Sequence, residues 1–69
     1  MTTQNSRSLE KFEAPLGGEV ELLEVNFEGG VNLLRVRIRQ GSRFTDLDLD
    51  QVTAAKWGAA MAAWAGETP

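Results

Sequence analysis

The stretch "VNLLRVRIRQGSRFTDLDLD", residues 31–50, decides the fold, because apolar and polar residues alternate in two consecutive runs. Alternation with a period of two is typical of a β-strand that buries one face. The runs 31–39 and 43–49 are separated by Gln40-Gly41-Ser42, which is typical of a turn. We therefore expect two antiparallel strands. Their apolar side chains, which we expect on the buried face, are Leu34, Val36, Ile38, Leu47 and Leu49.

Two further strands are predicted upstream of this stretch. Residues 19–28 are rich in β-forming residues, and residues 9–14 form a shorter candidate strand that ends at a turn over 15–18. Gly29-Gly30 connects the second strand to the third. Two glycines supply the positive φ that both central positions of a tight two-residue hairpin require.

The two-residue turn predicts the pairing of the middle strands. It places Glu24 opposite Arg35, Leu23 opposite Val36 and Val25 opposite Leu34, so Leu23 and Val25 are expected on the buried face. The doublet Leu22-Leu23 then interrupts the alternation. We expect a β-bulge at this doublet, because one extra residue restores the pattern. Beyond the bulge, the expected pairs are Glu21 with Arg37, Glu19 with Arg39, and Val20 with Ile38.

The period changes after Asp50, where a helix is predicted. Residues 54–65 contain neither proline nor a β-branched run, and alanine, the best helix former, dominates them. Asp48 or Asp50 is placed to cap this helix, and Gly66 to end it. The fold class is therefore α+β: a four-stranded antiparallel meander (ββββα) with one C-terminal helix packed on one face. We expect a disordered tail over 1–8, one small domain over 9–66 and a C-terminal tail over 67–69.

Composition excludes several kinds of site. The chain has 69 residues, a net charge of −3, and neither histidine nor cysteine. Disulfides and ordinary zinc or haem sites are therefore not expected, and we predict no cofactor and no metal. The run "DLDLD" over 46–50 has the odd-position carboxylates of a calcium loop. However, such a loop needs glycine at its sixth position and glutamate at its twelfth, and these positions hold Gln51 and Trp57.

We expect a non-catalytic protein of the cytoplasm. No poised nucleophile–base pair is recognisable without histidine, cysteine or tyrosine. The first six residues have no apolar segment of the kind found in secretory signals, and the apolar run 57–65 is too short to span a bilayer. The acidic balance argues against a general attraction to nucleic acid or to anionic membranes.

An arginine stripe on the third strand offers an alternative function. Arginine at every second position points to one face of the strand, and Phe44 is expected on the same face as a base-stacking platform. The residues of this candidate nucleic-acid surface are Arg35, Arg37, Arg39, Arg43 and Phe44. Acidic residues on both neighbouring strands favour another interpretation, a solvated face of cross-strand ion pairs. At the level of topology, ββββα resembles the Whirly and transcriptional-coactivator type of single-stranded-DNA-binding module, which implies the same alternative.

The C-terminal helix is apolar on nearly its whole circumference, which is typical of a helix buried on both sides. A bulky side contains Trp57, Met61 and Trp64, and a nearly opposite side of small residues contains Ala55, Ala59 and Ala63. The sheet can cover one side, and we expect it to cover the bulky one. The other is then either an exposed alanine stripe or a contact for another chain. We predict a small protein-interaction module, a homodimer or an accessory subunit of a larger assembly, that uses these six residues.

Overall fold

The computed structural model describes residues 5–67 and contains one sheet and one helix. The strands are β1 (Asn5–Glu13), β2 (Glu19–Phe27), β3 (Val31–Gln40) and β4 (Arg43–Leu49), and the helix is α1 (Gln51–Glu67). The sheet order is β1-β2-β3-β4, with every neighbouring pair antiparallel. The predicted α+β meander with a C-terminal helix is therefore confirmed, and β1 and β4 are the edge strands.

The hairpin between β2 and β3 has a three-residue loop rather than the expected two-residue turn. Phe27 pairs with Val31, and the Gly30 N–H donates a hydrogen bond of 3.2 Å to the Phe27 carbonyl. Gly29 and Gly30 have φ of 93° and 84°, so the expected positive φ at both glycines is confirmed. Glu28 is the first residue of the loop and does not have positive φ. Both positions that need a left-handed backbone are therefore glycines, which adopt it without strain.

The longer loop changes the register near the hairpin. Leu23 lies opposite Arg35 and Glu24 lies opposite Leu34, so the predicted pairing of Glu24 with Arg35 is wrong. The register runs without a shift along the whole of β2 and β3, and the bulge expected at Leu22-Leu23 does not form. The third loop residue makes the bulge unnecessary. The three predicted pairs further along are confirmed: Glu19 with Arg39, Val20 with Ile38, and Glu21 with Arg37.

Strand β1 begins at Asn5 rather than at Leu9. Residues 5–8, which the sequence predicted as part of a disordered tail, pair with β2, and the Arg7 Nη2 lies 2.8 Å from the Glu24 Oε1. The irregularity in the sheet lies here: the register shifts between Ser8 and Glu10, which leaves Leu9 without a partner in the ladder. The rest of the predicted tail, residues 1–4, lies outside the described residues.

Directly opposed residues of antiparallel strands share a face, and the register defines two faces. The apolar face carries Phe12, Val20, Leu22, Leu34, Val36, Ile38, Leu47 and Leu49. The ladder face carries Glu19, Glu21, Leu23, Val25, Leu33, Arg35, Arg37, Arg39, Phe44, Asp46 and Asp48. The buried residues are divided between them. Val36 and Leu49 lie on the apolar face, while Leu23 and Val25 lie on the ladder face rather than on the apolar face where the two-residue turn placed them.

The helix leaves the sheet after a one-residue connection. The Thr53 N–H donates a 2.7 Å hydrogen bond to the Asp50 Oδ1, so Asp50 is the N-cap. Thr53 and Ala54 are partly buried against the end of the sheet, and no residue of α1 is buried. The sequence predicted that the helix packs across one face of the sheet. In the structure, this packing is limited to the first turn, because the helix starts at its Asp50 cap immediately after β4 and continues away from the sheet. The helix passes Gly66 and ends at Glu67, and residues 68–69 lie outside the described residues.

Candidate protein-interaction surface

All six residues predicted to contact a partner are exposed on α1. Trp57 is 39% exposed, Met61 62% and Trp64 67%. Ala55, Ala59 and Ala63 are exposed as well. The structure therefore brings both predicted sets to the surface of one helix, rather than burying the bulky set against the sheet and exposing only the alanines.

The bulky set forms a continuous side of the helix that starts on the sheet. At 3.6 residues per turn, Thr53, Ala54, Trp57, Met61 and Trp64 share one side of α1. We call this the Trp/Met side. Its members are partly buried in the first turn, and the exposed fraction then rises from Trp57 to Trp64. The sheet thus covers the beginning of the Trp/Met side but not the remainder.

The apolar face of the sheet is the second exposed hydrophobic surface, and the sequence did not predict it as part of the site. Phe12 and Leu47 are 47% and 46% exposed, and the bulged Leu9 is 46% exposed. Sequence reasoning missed this surface because it assigned the helix as its cover. A usable signal was present: if Asp50 is taken as the helix cap, only this residue separates the strand 43–49 from the helix, which is too short a connection to permit much reorientation.

The two hydrophobic surfaces meet at the first turn of the helix. A shallow hollow of about 150 Å³ lies between them, lined by Leu9, Glu24, Leu34, Leu49 and Ala54 among others. Leu49, the last residue of β4, is only 6% exposed at this junction. The hollow adjoins the apolar face at Leu34 and Leu49 and the Trp/Met side at Ala54, and the polar residues Asp50 and Gln51 also line it.

The ladder face has a different character, because its central arginines are paired. The Arg35 Nε and Nη2 lie 2.8 Å and 3.0 Å from the two carboxylate oxygens of Asp48. The corresponding distances from Arg37 to Asp46 are 3.0 Å and 3.2 Å. These two-point hydrogen bonds lower the pKa of Asp48 and of Asp46 below their ordinary values, and raise the pKa of both arginines. Each pair cancels charge where it forms.

The residues of the alternative nucleic-acid surface are not all brought together. Arg39 and Phe44 lie opposite each other on the ladder face, together with Arg35 and Arg37. Arg43 pairs with Gln40 and therefore lies on the apolar face, away from the other four. Arg35 and Arg37 each donate hydrogen bonds to their own aspartate, and Glu19 lies opposite Arg39 in the sheet. The arrangement has the features of an ion-paired sheet face.

Two further observations concern the chemistry of the described part of the chain. Among residues 5–67, no cluster of three or more carboxylate, histidine or cysteine side chains is placed to hold a metal ion. The helix over the same residues is too short to cross a membrane.

Comparison with known proteins places the chain in a family. A family model described as a family of unknown function, DUF6967, matches residues 3–67, so the chain belongs to this family. No curated protein and no solved structure is detectably similar to it.

Proposed function

We propose that this chain is a small, non-catalytic protein-interaction module of the cytoplasm, and that it contacts its partner through the C-terminal helix. A single observation supports this proposal most strongly: a 17-residue helix without one buried residue carries large apolar side chains along its whole length. Exposed apolar surface of this kind is typical of interaction sites.

The residue types on the helix support the proposal. Tryptophan is enriched among the residues that dominate binding energy, and methionine adapts to irregular partner surfaces. Trp57 and Met61 lie one helical turn apart on the Trp/Met side. Ala55 and Ala59 are similarly spaced on the opposite side, where their small side chains permit close approach of a second backbone. An anchor on one side and a close-packing surface on the other suit a helix enclosed by its partner.

Site-specific photo-crosslinking in the native cell tests this proposal. We expect a benzophenone amino acid in place of Met61 to form a covalent adduct with the partner, because this side chain is 62% exposed on the proposed contact. The same amino acid in place of Phe44 is the matched control, since Phe44 is 65% exposed but lies on the ladder face. Adducts are detected by the increase in mass on denaturing gels and identified by mass spectrometry of the crosslinked peptides.

The pattern of adducts decides the outcome. Adducts at position 61 that are absent at position 44 support an interaction through the helix, whatever the partner. The proposed function fails if position 61 yields no adduct, or if position 44 yields the same adducts as position 61.

A further inference from the structure

The chain exposes more surface than a compact protein of its size. Its Cα radius of gyration is 13.9 Å, against about 11 Å for a compact domain of this length. Its accessible surface is 5572 Å², whereas a compact monomer of this mass exposes about 4,300 Å². The difference, about 1,300 Å², exceeds the roughly 800 Å² that each partner buries in a typical stable complex.

Two parts of the exposed surface have matching character. The apolar face is an uncovered sheet surface, and the Trp/Met side is an uncovered helix surface on the same chain. Packing a helix on a sheet is one of the standard ways to bury both. A chain that presents both halves of such a contact is complementary to a second copy of itself, and two copies related by a twofold axis satisfy both halves twice.

The lengths of the two surfaces agree. The part of α1 beyond its first turn, residues 55–67, is about 20 Å long at 1.5 Å per residue. On the apolar face, cross-strand pairs extend from Leu34 and Leu49 to Ile38 and Thr45. These end pairs lie about 14 Å apart along β4. The helix is therefore long enough to cover all of these cross-strand pairs. The spacing from Trp57 to Trp64, about 10 Å, places the large side chains within them.

The charges of the two surfaces do not oppose this contact. None of the residues that define the Trp/Met side is charged, and the two charges of α1, Lys56 and Glu67, have opposite signs; Glu67 borders this side, three residues after Trp64. The charged residues on the apolar face also balance, with two cations and two anions: Arg7, Glu10, Glu24 and Arg43. Neither surface repels a second copy.

The connection between strand and helix explains why the helix does not cover its own sheet. Only Asp50 separates β4 from α1, and its carboxylate holds the first turn through the Thr53 N–H at 2.7 Å. The helix would have to reverse its direction within this one residue to lie across the sheet of the same chain. A connection too short for closure within one chain favours exchange of the element between two chains.

From these observations we infer that the partner is a second copy of this chain, and that each helix lies with its Trp/Met side on the apolar face of the other copy's sheet. This inference depends on the proposed function and names the partner. It makes Trp57 and Met61 on one copy, and Leu47 on the other, the centre of the contact.

Two single substitutions and their mixture test this geometry. Met61→Glu places a charge on the helix, and Leu47→Lys places one on the apolar face; both side chains are about half exposed or more in the single chain. Each variant alone buries two unpaired charges in the dimer. We therefore expect each to weaken self-association at least tenfold, as measured by sedimentation equilibrium. An equimolar mixture restores dimers, because one contact then pairs Glu with Lys and the other is unchanged.

Matched controls exclude a general effect of charge. Lys56→Glu introduces a glutamate on the same helix but outside the Trp/Met side, and Phe44→Lys adds a lysine to the same strand but on the ladder face. Both controls are expected to dimerise like the unsubstituted chain. Far-UV circular dichroism of each variant shows whether the sheet and helix are retained. Both tryptophans lie on α1, so the emission of the unsubstituted chain is expected to move to shorter wavelength as dimers form.

The alternatives give different results. A dimer through helices alone loses affinity with Met61→Glu but not with Leu47→Lys, and a dimer through sheets alone shows the reverse. Either pattern overturns the inference, as does a chain that stays monomeric at high micromolar concentration. If the chain is monomeric but position 61 crosslinks to a different protein in the cell, the inference fails while the proposed function stands.

Discussion

Arg35 and Asp48 form the less exposed of the two arginine–aspartate pairs, with 19% and 30% of their side chains exposed. Their two-point geometry favours one register of β3 against β4, because a slip of one residue would move every partner to the other face. Pairs this accessible to water stabilise a protein by roughly 0.2–1 kcal/mol. The ladder face therefore contributes more to register than to stability, and it leaves little net charge in the middle of the sheet.

The aspartates of the ladder face make the free energy of unfolding depend on pH. Hydrogen bonds from Arg37 and Arg35 lower the pKa of Asp46 and of Asp48 in the folded chain. The stabilisation is complete above the unfolded pKa of about 3.9 and is lost as the pH falls through the lowered native pKa. We expect urea unfolding to show a smaller free energy at pH 3 than at pH 5. Asp46→Asn/Asp48→Asn removes this part of the difference, and an unchanged difference in that variant would contradict the assignment.

Among the secondary-structure elements, α1 depends least on the rest of the molecule. Its residues after the first turn are exposed, so its stability comes from the high helix propensity of alanine and from the Asp50 cap rather than from packing on the sheet. Hydrogen bonds from the Thr53 hydroxyl and from its backbone N–H lower the pKa of Asp50, so the cap is ionised at neutral pH. The hairpin β2–β3 depends instead on backbone geometry, because its loop requires positive φ at two positions, which Gly29 and Gly30 adopt without strain.

The same substitution is expected to have opposite effects in these two elements. Gly29→Ala forces a residue with a side chain into φ of 93° and should lower the free energy of unfolding by about 1–2 kcal/mol. Gly58→Ala introduces a better helix former at a position where a Cβ meets no atom within 4 Å, and should raise it by about 0.8–1 kcal/mol. Chemical denaturation measures both. A destabilised Gly58→Ala variant would show that another chain packs closely against position 58.

At the scale of the whole molecule, the dominant feature is the thin and extended shape, with extents of 48 × 30 × 15 Å. A sheet covered by a helix needs about 10 Å between the two layers in addition to their own thickness. The small third dimension shows that the helix continues beyond the sheet instead of lying over it. The core of a single copy is correspondingly small, with four buried apolar residues among those described.

A core of this size makes thermal stability depend on assembly. We expect the Tm to rise by about 5 °C for each tenfold increase in protein concentration, because folding and association of two 69-residue chains are then coupled. Scanning calorimetry over two decades of concentration measures this slope. Met61→Glu should flatten it, while Lys56→Glu should not. A Tm independent of concentration in the unsubstituted chain would show that one copy is stable by itself.

The strands and the helix could be predicted from the sequence because the signals are local. Alternation in β3 and β4 placed Leu34, Val36 and Leu47 on one face, and the loss of alternation after Asp50 located the helix. The hairpin register could not be predicted, because it depends on whether Glu28 belongs to the strand or to the loop. One residue more in the loop moved Leu23 and Val25 to the ladder face.

The candidate site was predictable as a set of residues but not as a surface. The composition of α1 identified Trp57, Met61 and Trp64 as contact residues, and all three are exposed. Whether they face the sheet or solvent depends on the direction in which the chain leaves β4, and the hydrophobic periodicity from which the elements were predicted does not specify that direction. The exposure of the apolar face depends on the same direction, because a helix that leaves the sheet cannot cover it. This surface was therefore not predicted.

The charged edge strands determine how this sheet would misassemble. The outer strands β1 and β4 carry Arg7, Glu10, Lys11 and Glu13 on one side and Arg43, Asp46 and Asp48 on the other. Charges on edge strands oppose the lateral addition of further strands, which is the first step toward fibrils. Protonation of the carboxylates in strong acid leaves these strands purely cationic, so the edges of neighbouring copies repel one another. Ribbon-like aggregates that grow from the sides of the sheet would thus form least readily in strong acid and most readily near the isoelectric point of about 4.7, where the net charge vanishes.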